Sequence, residues 1–142
     1  MINRKFLTRL IAASAITAFV FSCKPDPKEE PTPTDPKQRF IGSWSCAEHS
    51  VTDGSNSNYV VHIVDSTADN VLIESFYGLG FNKKAKAKIS GDNINITIPQ
   101  SVNGYSIIRS TGHLDNSSTI TMMYVVNAGS GNDSCTATLT KQ

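Results

Sequence analysis

The sequence carries little charge and almost no imbalance between its charges. Charged residues make up 18% of the chain, below the roughly 25% of ordinary soluble domains. The formal net charge is +1, from 13 basic and 12 acidic residues. Domains that bind nucleic acid are usually strongly basic, so no nucleic-acid partner is expected. A length of 142 residues allows one domain with an appendage.

No apolar run is long enough to cross a bilayer as a helix. The longest, Leu10–Phe21, has 12 residues interrupted by one serine and one threonine, whereas a spanning helix needs about 20. The basic residues Arg4, Lys5 and Arg9 precede it. A basic segment followed by a short apolar run is typical of a secretory signal peptide, which we expect to occupy residues 1–22.

The apolar run ends in Val20-Phe21-Ser22-Cys23, which resembles the lipobox of bacterial lipoproteins. The resemblance implies cleavage before Cys23 by signal peptidase II and lipidation of Cys23, with palmitate among the acyl chains. Each buried CH₂ contributes about 0.8 kcal/mol, so several chains anchor a protein permanently. Two alternatives remain open: ordinary cleavage that leaves Cys23 as a thiol, or an uncleaved signal anchor.

Proline is concentrated directly after this cysteine. Residues 23–37 contain five of the six prolines and, apart from Cys23, no other apolar side chain, so we expect a disordered tether. At about 3.1 Å per residue it would reach roughly 45 Å from the membrane. The pair Glu29-Glu30 resembles export signals that bring some Gram-negative lipoproteins to the outer leaflet of the outer membrane. Alternatively, these residues only keep the tether soluble.

The remaining chain, residues 38–142, contains one proline and all nine glycines. Short segments rich in β-branched or alternating apolar residues follow one another, separated by Gly, Asn, Asp and Ser. This pattern predicts an all-β domain, either an antiparallel barrel or a β-sandwich. The predicted strands are 40–49, 58–66, 70–77, 83–90, 93–99, 104–114, 117–127 and 133–141.

Alternation along a strand predicts which side chains face the interior. In 83–90 lysines alternate with two alanines and an isoleucine, so the lysines should face water. In 93–99 three isoleucines at alternate positions should all face inward. Segments 58–66 and 70–77 are apolar on both faces, which indicates either a covering element or a binding patch.

Three cysteines leave an odd number to explain. Cys46 shares a strand face with Trp44, and Cys135 lies on the expected inner face of the last strand. If the first and last strands are neighbours, the two thiols can meet, and an exported protein sits where disulfides persist. We therefore predict a Cys46–Cys135 disulfide, with two separate buried thiols as the alternative.

The segment Phe40-Ile41-Gly42-Ser43-Trp44 resembles the Gly-x-Trp signature on the first strand of lipocalins. The resemblance covers residues 38–142 and implies an eight-stranded up-and-down barrel, with the tryptophan closing one end. The chain departs from the family in lacking the C-terminal helix and the Thr-Asp-Tyr loop motif. Only Lys141 could supply the basic residue that stacks on the tryptophan. An ordinary core tryptophan in another β fold is the alternative.

Catalytic signatures are missing. The three histidines, His49, His62 and His113, have no metal-ligand spacing, and no Gly-x-Ser-x-Gly elbow or dinucleotide-binding loop occurs. Glu48 and Glu74 could pair only by coincidence of folding. We expect no enzyme activity, no metal and no cofactor.

Two functions then remain, and interior volume separates them. A barrel with a cavity of several hundred Å³ would bind a small apolar molecule, whereas a filled barrel would be a non-catalytic structural or interaction lipoprotein contacting other envelope components. We expect ligand binding, because tyrosine and tryptophan are frequent for so short a domain, and the interaction lipoprotein is the alternative. The small side chains leave room in the interior at Ala85, Ala87 and Gly112, and the isoleucines take up that room. Nothing in the sequence indicates the oligomeric state. The candidate ligand contacts are Trp44, Tyr59, Phe76, Tyr77, Tyr105, Met122 and Tyr124.

Overall fold

The structure is a computed structural model that describes residues 35–142. The predicted signal peptide at 1–22, the lipidation site at Cys23 and most of the tether predicted at 23–37 lie outside the described residues. Within the described range, no helix has the length and apolarity needed to span a bilayer.

Nine strands and two short 3₁₀ helices make up the described chain. The 3₁₀ helices are η1, Pro36–Arg39, and η2, Phe76–Gly78. The strands are β1 Gly42–Ser50, β2 Asn56–Asp65, β3 Asn70–Glu74, β4 Lys84–Ser90, β5 Asn93–Ile96, β6 Gln100–Val102, β7 Tyr105–Asn116, β8 Thr119–Asn127 and β9 Asn132–Lys141.

The strands form a closed antiparallel barrel. The pairing order is β5-β4-β3-β2-β1-β9-β8-β7-β6, and a further pairing of β5 with β7 closes the sheet. Eight strands therefore form the barrel, and β6 is an extra strand along the start of β7. The prediction of an all-β, eight-stranded antiparallel barrel is confirmed, and the β-sandwich alternative is excluded.

Alternation places most side chains as predicted. The lysines of β4 are exposed, while Ala85, Ala87 and Ile89 are buried. Ile94 and Ile96 are also buried, but Ile98 is 50% exposed, contrary to expectation, because β5 ends at Ile96. On the outer faces of β2 and β3 the apolar residues are half-buried rather than covered by another element.

One end of the barrel, here called the closed end, is sealed by η1 and the tryptophan. Phe40 and Trp44 are fully buried, and the indole Nε1 donates to the Phe40 carbonyl at 2.8 Å. The Lys141 ammonium lies 5.3 Å from the centre of the indole ring and donates to the Arg39 carbonyl at 3.1 Å. Lys37 donates to the Ser66 and Ala68 carbonyls, so the chain joins the barrel at this end.

The predicted Cys46–Cys135 disulfide is wrong. β1 and β9 do pair, as the prediction required, and both cysteines face the interior, but both thiols are free. The register sets Cys46 opposite Leu139 and Cys135 opposite Ser50. Four residues along a strand correspond to roughly 13 Å, beyond the Cα separation of about 4.4–6.8 Å that a disulfide spans. The alternative of two buried thiols is what the structure has.

The barrel closes at a narrow seam between β5 and β7. The ladder there has a single residue pair, Asn93 with His113. A Leu114 N–H bond to the Asp92 carbonyl at 2.8 Å and an Ile96 N–H bond to Ser110 Oγ at 3.2 Å extend the contact. Gly112 allows the strands to approach, since a Cβ there would lie 2.7 Å from the Ile94 carbonyl oxygen. The room expected at Gly112 is therefore taken by backbone.

We expect Gly112→Ala to destabilise the barrel by about 1–3 kcal/mol, because the methyl group has to displace backbone at the seam. Urea unfolding followed by tryptophan fluorescence measures the change. Thr111→Ala, on the exposed face of the same strand, is the control and should stay within about 0.5 kcal/mol. Equal midpoints for Gly112→Ala and the wild type would contradict the role of the seam.

Candidate functional site at the strap end

The end of the barrel opposite η1 is crossed by residues 75–80, here called the strap. The strap follows β3 and contains η2. Ser75 and Tyr77 have left-handed backbones, with φ of 61° and 57°. Such conformations are costly for residues other than glycine and persist only where surrounding contacts hold them. The contacts of the strap must therefore account for its shape.

Aromatic packing supplies those contacts. Phe76 is buried, and its ring centre lies 4.8 Å from that of Tyr124 on β8. Tyr77 packs against Tyr105 of β7 with ring centres 5.2 Å apart. Gly78 packs on the Tyr59 ring, because a Cβ added to this glycine would lie 3.6 Å from the nearest ring carbons. The strap thus bridges β2, β7 and β8 and fills the end of the barrel with its own side chains.

Almost no empty space remains beneath it. The internal void is about 10 Å³, about the size needed for a single water and far below the 300–1,000 Å³ of usual ligand sites. Five of the seven predicted ligand contacts line this void together, whereas Trp44 lies at the closed end and Tyr105 lies beside the strap. The lining residues are Cys46, Tyr59, Val61, Ile73, Phe76, Tyr77, Met122, Tyr124, Ala137 and Leu139.

A buried carboxylate lies among these aromatic rings. Glu48 is only 8% exposed. The Tyr59 hydroxyl donates to Glu48 Oε2 at 2.5 Å, and the Tyr124 hydroxyl donates to the same oxygen. Burial raises the pKa of Glu48, and the hydrogen bond from Tyr59 only partly offsets this effect.

A second carboxylate holds the strap. Asp133 Oδ2 accepts from the Tyr77 hydroxyl at 2.6 Å, and its Oδ1 accepts from Ser50 Oγ at 2.5 Å. The Cys135 thiol lies 3.3 Å from Oδ2. Burial acts to raise the pKa of Asp133, but these hydrogen bonds outweigh it and hold the pKa below its usual value. Asp133 is therefore ionised at neutral pH and links the strap to β9.

The thiols and phenols around the two carboxylates are poor nucleophiles. Burial raises the pKa of Cys46 to about 11, and it also raises the pKa values of Cys135, Tyr59 and Tyr77. All four groups stay protonated at neutral pH, and a thiol reacts as its thiolate. In the described part of the chain, no group of three His, Cys, Asp or Glu side chains could hold a metal ion. The side chains at the strap end are therefore suited to hydrogen bonding and to binding a ligand.

Neither Glu48 nor Asp133 is among the ligand contacts predicted from the sequence. Glu48 lies two residues after Cys46, and Asp133 two residues before Cys135, so the period of two already placed both carboxylates on inner faces. The pairing of Glu48 with Glu74 is not made. Glu74 accepts from Lys84 at 2.7 Å and lies 3.6 Å from the His62 ring.

Larger depressions occur on the outer wall. One of about 420 Å³ lies over β5, β7 and β8, and another of about 380 Å³ lies over β1, β2 and β9. Both are open to solvent and lined mainly by polar side chains, among them Asp115 in the first and Glu48 in the second. Neither gathers the predicted aromatic contacts, so the strap end is the candidate site.

Comparison with known proteins supports the fold. No known protein family and no curated protein matches the sequence. Among solved structures, a redesigned beta barrel matches with a TM-score of 0.56 at 14% identity, covering 76% of this chain and 96% of that one. This protein is a closed β-barrel. At that identity the likeness concerns the fold alone.

Burial of Glu48 should be visible as a pH effect on stability. The pKa of Glu48 is higher in the folded protein than in the unfolded chain, where it is about 4.3. Ionisation of Glu48 above that pH therefore lowers the free energy of unfolding, and acidification restores it. We expect the wild type to gain stability relative to Glu48→Gln as the pH falls from 7 towards about 4.3. Urea midpoints at several pH values measure the difference.

The low pKa of Asp133 acts in the opposite direction in both proteins, so the difference between them reports the burial of Glu48 together with its repulsion from Asp133. Glu74→Gln, on the outer wall, is the control for removing one carboxylate. A stability difference between wild type and Glu48→Gln that stays constant with pH would show that the glutamate is not buried as described.

Proposed function

We propose that this protein is a lipid-anchored lipoprotein of a Gram-negative cell envelope. The sequence Val20-Phe21-Ser22-Cys23 supports the anchor. The described chain begins at Asp35, beside η1 at the closed end. The tether would therefore join the barrel at its closed end.

The barrel domain acts as a non-catalytic, packed interaction domain that contacts other envelope components. The observation that carries this proposal is the internal void of about 10 Å³. An eight-stranded barrel encloses room for side chains or for one small ligand. Here side chains occupy that room, so the surface and loops remain for contacts.

Binding of a small apolar ligand, as in the lipocalin-like reading of the sequence, is the second candidate function. The strap favours it, because the side chain that most directly fills the site, Phe76, comes from a short segment and not from a barrel strand. Two of its non-glycine residues have costly left-handed backbones, which only the surrounding contacts keep in place. A ligand that replaced Phe76 would leave the barrel ladder intact.

Replacing Cys23 tests the anchor. We expect Cys23→Ala to abolish metabolic labelling by a clickable palmitate analogue and to release the protein from the membrane fraction. Cys46→Ala is the matched control, since it removes a buried cysteine of the barrel and should leave labelling unchanged. Undiminished labelling of Cys23→Ala would refute lipidation at this residue.

Native mass spectrometry separates the two functions. Protein expressed in a Gram-negative envelope and purified in mild detergent should give the lipidated mass alone if the barrel is a packed interaction domain. A stoichiometric small molecule that stays bound, and is lost on unfolding, would overturn that proposal in favour of ligand binding.

A further inference from the structure

Two rows of outward side chains, here called the neutral wall, cross the outside of the barrel through β7, β8, β9, β1 and β2. The first row also includes β5, and at about 4.8 Å per strand it is about 24 Å long. None of the eleven residues is Lys, Arg, Asp or Glu, and all are exposed except one that is half-buried. In register order the rows are Asn93, His113, Thr121, Thr138, Ala47 and Asn58, and Thr111, Met123, Thr136, His49 and Asn56.

The neutral wall joins the two open depressions of about 420 and 380 Å³. Each of its eleven residues lines one depression or the other. The boundary between them lies where Thr121 faces Thr138 and Met123 faces Thr136 across β8 and β9. Side chains directly opposed in this way have Cβ atoms roughly 5 Å apart. The depressions therefore adjoin, and a ligand longer than either one can occupy both.

Much of the hydrogen-bonding capacity of the neutral wall is unused. No side-chain hydrogen bond among residues 35–142 uses the hydroxyls of Thr111, Thr136 and Thr138 or the amide of Asn58. The bonds that the wall does make involve Asn93, His113, His49, Asn56 and Thr121. Hydroxyl and amide groups both donate and accept hydrogen bonds. They suit a ligand whose own polar groups do the same.

The charges beside the neutral wall narrow the class of ligand. The depressions are lined by two carboxylates, Asp115 and Glu48, and by no lysine or arginine. An anionic ligand is therefore disfavoured. Asp115 Oδ2 accepts from Thr121 at 2.6 Å, which leaves Oδ1 to accept from a ligand hydroxyl. Met123, 57% exposed within the second row, offers an apolar surface to the C–H groups of a sugar ring.

We propose that the neutral wall binds an extended, uncharged glycan strand. A pyranose ring in an extended chain is about as long as the strand spacing of ~4.8 Å, so successive sugars lie over successive strands. Their hydroxyls bond to the threonine and asparagine side chains. The inference rests on the interaction function proposed above and deepens it by naming the chemistry of the envelope component that the barrel contacts.

The test titrates neutral sugars into the full chain carrying Cys23→Ser and follows backbone amide chemical shifts. The probes are chitohexaose, cellohexaose, the disaccharide chitobiose and the fully deacetylated, cationic form of chitohexaose. We expect shifts in β1, β7, β8 and β9 and none in β3 and β4. At least one neutral hexasaccharide should bind about tenfold or more tightly than chitobiose, because it engages both depressions at once. The cationic hexamer should bind less tightly than chitohexaose.

A substitution at the boundary of the depressions tests the location. Thr138→Arg places a long charged side chain there and should weaken binding of the hexasaccharide at least about tenfold. Thr67→Arg, in the exposed turn between β2 and β3, is the matched control and should leave the affinity unchanged. Tryptophan fluorescence shows that each variant is folded. If Thr138→Arg does not fold, Met123→Arg at the second boundary pair replaces it.

Four results would overturn the glycan surface: no binding of either neutral hexasaccharide, equal affinity for chitobiose, tighter binding of the cationic hexamer, or undiminished binding by Thr138→Arg. Shifts of the wall amides that follow protein concentration without sugar would overturn it as well, and would make the wall an interface between copies of the chain. None of these results alters the bare mass expected of a packed interaction domain. A bound apolar molecule in the native mass overturns that domain function whatever the sugars do.

Discussion

Eight strands enclose a space so narrow that every inward side chain competes for it. In this protein Trp44 fills that space from the closed end and Phe76 fills it from the strap end. The two fillings differ in origin. The tryptophan belongs to β1 and is held by the Phe40 carbonyl and the Lys141 ammonium, whereas Phe76 belongs to a segment outside the sheet. The closed end is thus filled by a residue of a barrel strand, whereas the strap end is filled by a residue from outside the sheet that side-chain contacts hold in place.

The two interior carboxylates follow from this difference. A packed core would place apolar residues at both positions, because burying a charge is costly without a partner. At the strap end, phenol hydroxyls meet Glu48 and a hydroxyl from the strap itself meets Asp133. The tyrosines therefore serve two purposes: their rings fill volume, and their hydroxyls solvate negative charge. A polar barrel end covered by a segment from outside the sheet is the feature that supports the ligand-binding proposal despite the filled interior.

Much of the fold was predictable from local pattern. The alternation of lysine with apolar residues in β4 identified both the strand and its inner face, because side chains on a strand alternate regardless of their neighbours. The same period placed Cys46 and Cys135 correctly on inner faces. It did not give the register between β1 and β9, so it could not show that the thiols are four residues apart. Five of the predicted aromatic and methionine contacts do lie together, because large interior side chains can touch one another in many different strand registers. A disulfide forms only in a register that brings its two cysteines close, and this register does not.

The sequence by itself determined the all-β class, the strand faces, and the aromatic character of the interior, since these depend on composition and on a period of two. Tertiary structure alone decided that the sheet closes between β5 and β7, where Gly112 admits the backbone of Ile94. It also decided that residues 75–80 leave the sheet to cover one end, and that Glu48 and Asp133 receive their donors from other strands and from the strap. These features depend on residues far apart in the chain, and a local pattern carries no information about which distant groups will satisfy a buried charge.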